Sequence, residues 1–185
     1  MKYNPDNHHR RSIRLQGFDY SQAGFYFITL CTQNREYLFG EILNGEIRLN
    51  EFGKIAYQCW LEIPNHFPNV QLDECVIMPN HIHGIIELKD IGNIEIGVQN
   101  FEPQRFEPQR FEPQRNEYQH IIPRSIGSII RGFKIGVTKG LRQNTDIYVV
   151  WQRNYYECII RNEVELNRIR QYIINNPKKW KTDEN

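Results

Sequence analysis

The sequence has no run of apolar residues that approaches the roughly 18 needed to cross a bilayer. Its opening, MKYNPDNHHRRSIRLQ, lacks the apolar centre of a secretory leader. Both absences argue against a membrane or an export route and lead us to expect a cytoplasmic protein. The four cysteines, Cys31, Cys59, Cys75 and Cys158, show no C-x-x-C spacing, so the usual dithiol and zinc patterns are missing. Each lies among apolar neighbours, where a buried free thiol is the ordinary reading and a reducing compartment the implied setting. No glycine-rich phosphate loop occurs, and no nucleotide cofactor is expected. Strong net charge is absent too, at +1 overall.

The charge that is present is unevenly placed. Residues 121–185 carry twelve Lys and Arg against six Asp and Glu, whereas residues 1–120 carry eleven against sixteen. The C-terminal third is therefore the candidate face for a polyanion, although a solvated helical surface would look the same. A length of 185 residues fits one domain with one ordinary core.

Residues 25–32, FYFITLCT, are apolar and β-branched and predict a buried first strand. Two short strand-like runs, 37–43 and 46–49, flank Asn44-Gly45, the pair that most favours a tight hairpin. Apolar residues at 52, 55, 56, 59, 60 and 63 predict a helix over 51–63, ended by Pro64. Residues 70–78 and 81–88 predict an antiparallel pair joined through Pro79 and Asn80. Between about 91 and 122 the periodicity dissolves, and a tandem repeat of Phe-Glu-Pro-Gln-Arg starts at Phe101, Phe106 and Phe111. Proline in every five-residue unit suits neither ladder nor helix, and this segment reads as an inserted surface loop, more often a tolerated expansion than a nucleic-acid contact through its Phe and Arg.

Ser125–Leu141 has an apolar stripe of Ile126, Ile129, Ile130, Phe133 and Val137 and predicts a basic-faced amphipathic helix. Strands are expected at 147–151 and 155–160. Asn162 and Glu165 resemble a capping box that opens a last helix, with Pro177 as its stop. The order of elements predicts a single-domain α+β sandwich of the ferredoxin-like (RRM-like) kind, with helices packed on an antiparallel sheet. Such sandwiches host many functions, so the site must decide.

His81-Ile-His83 is the most informative triplet. Residues two apart on a strand share a face, so both imidazoles can approach one metal ion. Pairs like this are as often surface or hydrogen-bonded histidines. Tyr172 and Asn176, four apart on the last helix, also share a face, and they bring a possible nucleophile and a hard amide-oxygen ligand. On spacing alone, an amphipathic tyrosine at a core edge is the better reading of Tyr172.

Met-Pro-Asn-His-Ile-His (78–83) with Gln-Tyr-Ile-Ile-Asn-Asn-Pro (171–177) resembles the single-tyrosine HUH transposases of the insertion-sequence-200 type, and most of all their REP-associated branch. Residues 26–35 and 151–156 are similar to that family as well. The resemblance implies that Tyr172 is the nucleophile, that His81, His83 and Asn176 hold Mg²⁺ or Mn²⁺, and that the product is a 5′-phosphotyrosine link. It further implies single-stranded DNA with hairpin, REP-like ends as substrate. Asn176 precedes Pro177, which disfavours helical geometry at that residue. From the charge pattern Lys134, Lys139, Arg142 and Arg153 are chosen as backbone contacts, with Arg168 as a cation beside Tyr172. A monomer is favoured over a dimer. The rival is a non-catalytic RRM-like nucleic-acid-binding module with aromatics exposed at the centre of its sheet.

Overall fold

The structure is a computed structural model that describes residues 18–90, 122–143 and 145–180. The FEPQR repeats lie outside the described residues, as does the N-terminal segment. Strand β1 (Gly24–Cys31) is followed by a 3-10 turn and by the hairpin of β2 (Gly40–Leu43) and β3 (Glu46–Leu49). Asn44 and Gly45 between them both have positive φ, 54° and 78°, the backbone that a two-residue hairpin turn demands. Helix α1 (Glu51–Leu61) starts where the Asn50 side chain accepts from the Gly53 N–H at 2.9 Å.

The expected stop at Pro64 is a correction. Helix α1 ends at Leu61, and Pro64 sits in the first turn of a separate short helix, α2 (Ile63–His66), where its missing N–H has no intrahelical partner to lose. Strands β4 (Val70–Met78) and β5 (His81–Leu88) form the expected antiparallel pair. Helix α3 (Ile126–Arg142) is capped by Ser125, and β6 (Tyr156–Ile160) leads into α4 (Glu163–Lys179).

Two further corrections concern the C-terminal third. Residues 147–151 form no strand. Their one ladder contact is an isolated bridge from Trp151 to Thr32, and Tyr148 and Val149 face solvent. Pro177 does not stop α4, which continues to Lys179 through Asn176 and Pro177. In the last turn the proline omits a single hydrogen bond to the Ile173 carbonyl. Trp180, against His81 and Tyr37, holds the extra turn in place.

The main sheet has the order β4-β5-β1-β6, all neighbours antiparallel. With α1 between β1 and β4 and α3 between β5 and β6, this is the ferredoxin-like arrangement expected. The sheet is buried on both faces. Tyr26, Ile28, Leu30, Ile82 and Ile86 point to α1 and α3 and make the larger core with Trp60 and Phe133. The alternate residues Phe27, Val76 and Ile85 point the other way, where α4 covers them with Leu166, Ile169 and Ile173. Because β5 alternates, placing Ile82 and Ile86 in the first core obliges His81 and His83 to sit beneath α4. Among the described residues, no helix is long and apolar enough to cross a membrane.

Candidate active site

His81 and His83 lie side by side on β5 with ring centroids 4.6 Å apart, each 6% exposed. Each ring has an oxygen partner at its inner nitrogen, and the outer nitrogen of His83 meets the Tyr172 hydroxyl. Asn80 Oδ1 lies 2.7 Å from His81 Nδ1, and Thr29 Oγ1, across the ladder on β1, lies 2.8 Å from His83 Nδ1. A neutral imidazole has one N–H. With that proton on Nδ1, donated to these oxygens, each Nε2 presents a lone pair, the arrangement a metal-ligating histidine needs. Burial, and secondarily the nearby His81, pushes the His83 pKa down to about 3, so the ring is neutral at physiological pH.

Helix α4 lays three residues over this pair at successive turns. Tyr172 comes first, with its hydroxyl 3.2 Å from His83 Nε2 and its ring edge-on to both His83 and Phe27. Trp180 comes last and stacks on His81 at 5.8 Å and 27°. Asn176 lies one turn from each, on the same helix face, and is 1% exposed. Its Oδ1 is a buried acceptor with no hydrogen-bond partner among the described residues. An unsatisfied buried oxygen is costly, and a cation on that atom would satisfy it. The donors therefore fit a divalent ion: two imidazoles and one amide oxygen. No group of three or more His, Cys, Asp or Glu that could hold a metal ion occurs among the described residues, and the amide oxygen is the third donor on this face.

The helix is held at this height by a paired anchor. Register slips between Leu72 and Cys75 on β4, and within that irregularity Asp73 faces Arg170 in a two-pronged ion pair at 2.6 and 2.9 Å. The guanidinium holds the Asp73 carboxyl below the usual range. Tyr172 is two residues beyond this anchor, and it is 41% exposed although its hydroxyl meets the histidine.

No protein-family model matches the chain. A Haemophilus influenzae protein, described as uncharacterised, is 50% identical over 187 residues, covering 99% of this chain and 96% of its own length. The chain belongs to the family of that protein. Among solved structures, a REP-associated tyrosine transposase bound to a REP hairpin aligns over 91% of this chain and 74% of its own. Its TM-score is 0.56 at 18% identity, which shows a shared fold. A candidate transposase from Deinococcus radiodurans aligns over 88% of this chain at 14% identity, and its TM-score of 0.46 is too low to carry an argument.

The basic residues chosen from charge are scattered by the fold. Lys134 is half-buried. Its ammonium donates to the Gln152 and Asn154 carbonyls at 2.9 and 3.4 Å beside the Trp151 and Tyr155 rings, and burial lowers its pKa to about 8. It clamps the segment before β6. Arg142 donates to the Tyr148 carbonyl and lies over that ring. Lys139 and Arg153 are exposed, and Arg168 is solvated next to Glu165 at 3.9 Å. Helix α3 covers the opposite face of the sheet from Tyr172, so Lys139 and Arg142 stand apart from the histidines.

Thr29, Asn80 and Trp180 are site residues that pattern reading does not reveal. Thr29 leaves a faint trace as one of two polar side chains in an apolar strand. Asn80 lies inside Met-Pro-Asn-His-Ile-His but reads as a turn residue.

Proposed function

We propose that the chain is a transposase-type endonuclease and strand transferase for single-stranded DNA, in which Tyr172 attacks a phosphodiester beside His81, His83 and Asn176. One observation carries the reading: the Tyr172 hydroxyl is 3.2 Å from His83 Nε2, on the same helix face as the unpartnered Asn176 Oδ1. The shared fold of the REP-associated tyrosine transposase supports it.

Mg²⁺ or Mn²⁺, when held by the His81 and His83 imidazoles and the Asn176 oxygen, supplies positive charge against the non-bridging phosphate oxygens. The protein's own part is positional. Asn80 Oδ1 accepts from the His81 Nδ1–H and so sets that ring's tautomer, and Thr29 orients the His83 ring. The α4 backbone, anchored through Arg170 and Asp73, keeps the Tyr172 oxygen over them. That oxygen gives up its proton and forms a bond to phosphorus as the bond to the departing 3′ oxygen breaks, and the departing oxygen takes up a proton from solvent, which leaves a 5′-phosphotyrosine and a 3′-hydroxyl. Reversal by another 3′-hydroxyl rejoins DNA without a nucleotide cofactor. The substrate proposed is single-stranded DNA with hairpin ends.

The rival, an RRM-like sheet that binds bases without cutting, meets a specific obstacle. Helix α4 covers the face it would use, and the central aromatic Phe27 stacks on His83 at 5.4 Å. The test is twofold. Mn²⁺ should raise the melting temperature of the wild type but not of His81→Ala or Asn176→Ala, and both variants should lose cleavage of single-stranded DNA. Full cleavage by either variant would remove the metal from the scheme.

A further inference from the structure

The aromatic row over the site extends past the residues that the cleavage reaction uses. Trp180 stacks on His81, and its indole meets the Tyr37 ring at 5.6 Å and 59°. Tyr37 belongs to the segment between β1 and β2 and is 58% exposed, far more than packing alone requires of a large aromatic. Beside them are the tip of the β2–β3 hairpin, whose Gly45 abuts Lys178, and the exposed basic residues Lys178 and Lys179. Two separate segments, the one before β2 and the end of α4, therefore assemble aromatic rings and positive charge next to one histidine.

We propose that the Tyr37–Trp180 pair is a nucleobase-stacking subsite for single-stranded DNA, holding the base next to the phosphate that lies over His81. It rests on the reading of the site as one for single-stranded DNA. Every base offers a flat π-face, so a subsite of aromatic rings accepts any of the four, while lysines alongside take the backbone phosphate. Its place is set by Trp180, which touches both the histidine and Tyr37. A base held there fixes the adjoining phosphodiester against His81, and Trp180 and Tyr37 thereby act as positioning residues. They do not touch the reacting atoms.

The tryptophans offer a direct readout. Trp60 and Trp151 are buried in the other core, which leaves Trp180 as the accessible indole among the described residues. The experiment uses Tyr172→Phe protein, so that nothing is cut, with two probes: an oligodeoxythymidylate and an abasic oligomer of equal length and charge. We expect the thymidylate to quench tryptophan fluorescence and to bind roughly tenfold tighter than the abasic strand. Trp180→Ala should abolish that difference with abasic binding unchanged. Tyr37→Ala should reduce the difference while α4 keeps its C-terminal contact with His81, and Trp180→Phe should restore most of it. Equal binding of the two probes, or an undiminished preference in both alanine variants, would overturn the subsite. Cleavage activity separates the two claims. A base preference that the alanine variants lose, with no phosphotyrosine adduct formed by the wild-type protein, would uphold the subsite and refute the nuclease reading. An adduct with no base preference would do the reverse.

Discussion

His83 is the residue at which burial and chemistry meet. In the unfolded chain its ring takes a proton near pH 6.5, whereas in the fold burial and then His81 delay that to about pH 3. As pH falls through this window the unfolded state binds a proton that the folded state refuses, so stability is lost toward acid. Chelator-treated protein should therefore show a falling urea midpoint between about pH 7 and pH 5, by at most about 1.4 kcal/mol per unit. His83→Gln should flatten the slope, and a wild-type midpoint that is level over that range would contradict the buried neutral imidazole. At this scale the sequence was readable where spacing alone fixes geometry. His81 and His83 share a face by strand period, and Tyr172 and Asn176 by helix period. Thr29 and Asn80 were not readable. Thr29 reaches His83 through strand register across more than fifty residues, and Asn80 looks like any turn residue.

Among the elements, β5 carries the strictest demand, because it must present histidines on one face and accept Trp60 on the other. Gly84 makes that possible. A Cβ at this position would enter the Trp60 ring, which is fully buried. Gly84→Ala should cost about 1–3 kcal/mol, the usual penalty of overpacking, read as a lower urea midpoint. An unchanged midpoint would show that the ring is free to shift. The hairpin and capped helices were legible because their signals are local: Asn44-Gly45, Asn162 accepting from the Glu165 N–H at 2.8 Å, and the α3 stripe. Glu165 turns back to the Arg161 N–H, one residue earlier than a capping box predicts. Residues 147–151 misled because β-branched composition does not supply a neighbour, and the only pairing there is one bridge to Thr32. Pro177 misled because its local penalty is outweighed by tertiary contacts of Trp180.

On the scale of the whole molecule, α4 belongs to its own sheet. Two residues, Arg161 and Asn162, separate it from β6, and Arg170 clasps Asp73 on the far strand β4. That short tether and the ion pair predict a monomer with Tyr172 over its own histidines, so sedimentation should give a monomer. A stable dimer would place the tyrosine helix in doubt. The ferredoxin-like order was foreseeable from the sequence of elements. That α4 would cover the second face was not, since a stripe of Leu166, Ile169 and Ile173 tells which side of a helix is buried but not against what.

The central claim is that Tyr172 becomes covalently joined to DNA. Its most direct test incubates the protein with a hairpin-ended single strand and Mn²⁺, denatures the mixture, and maps any protein–DNA adduct by peptide mass. We predict an adduct on the peptide containing Tyr172. We predict none from Tyr172→Phe, a change that removes one oxygen and should alter stability by no more than about 1 kcal/mol. Cleavage by the Tyr172→Phe protein, or an adduct mapped to Tyr155 or Tyr156, would contradict the account.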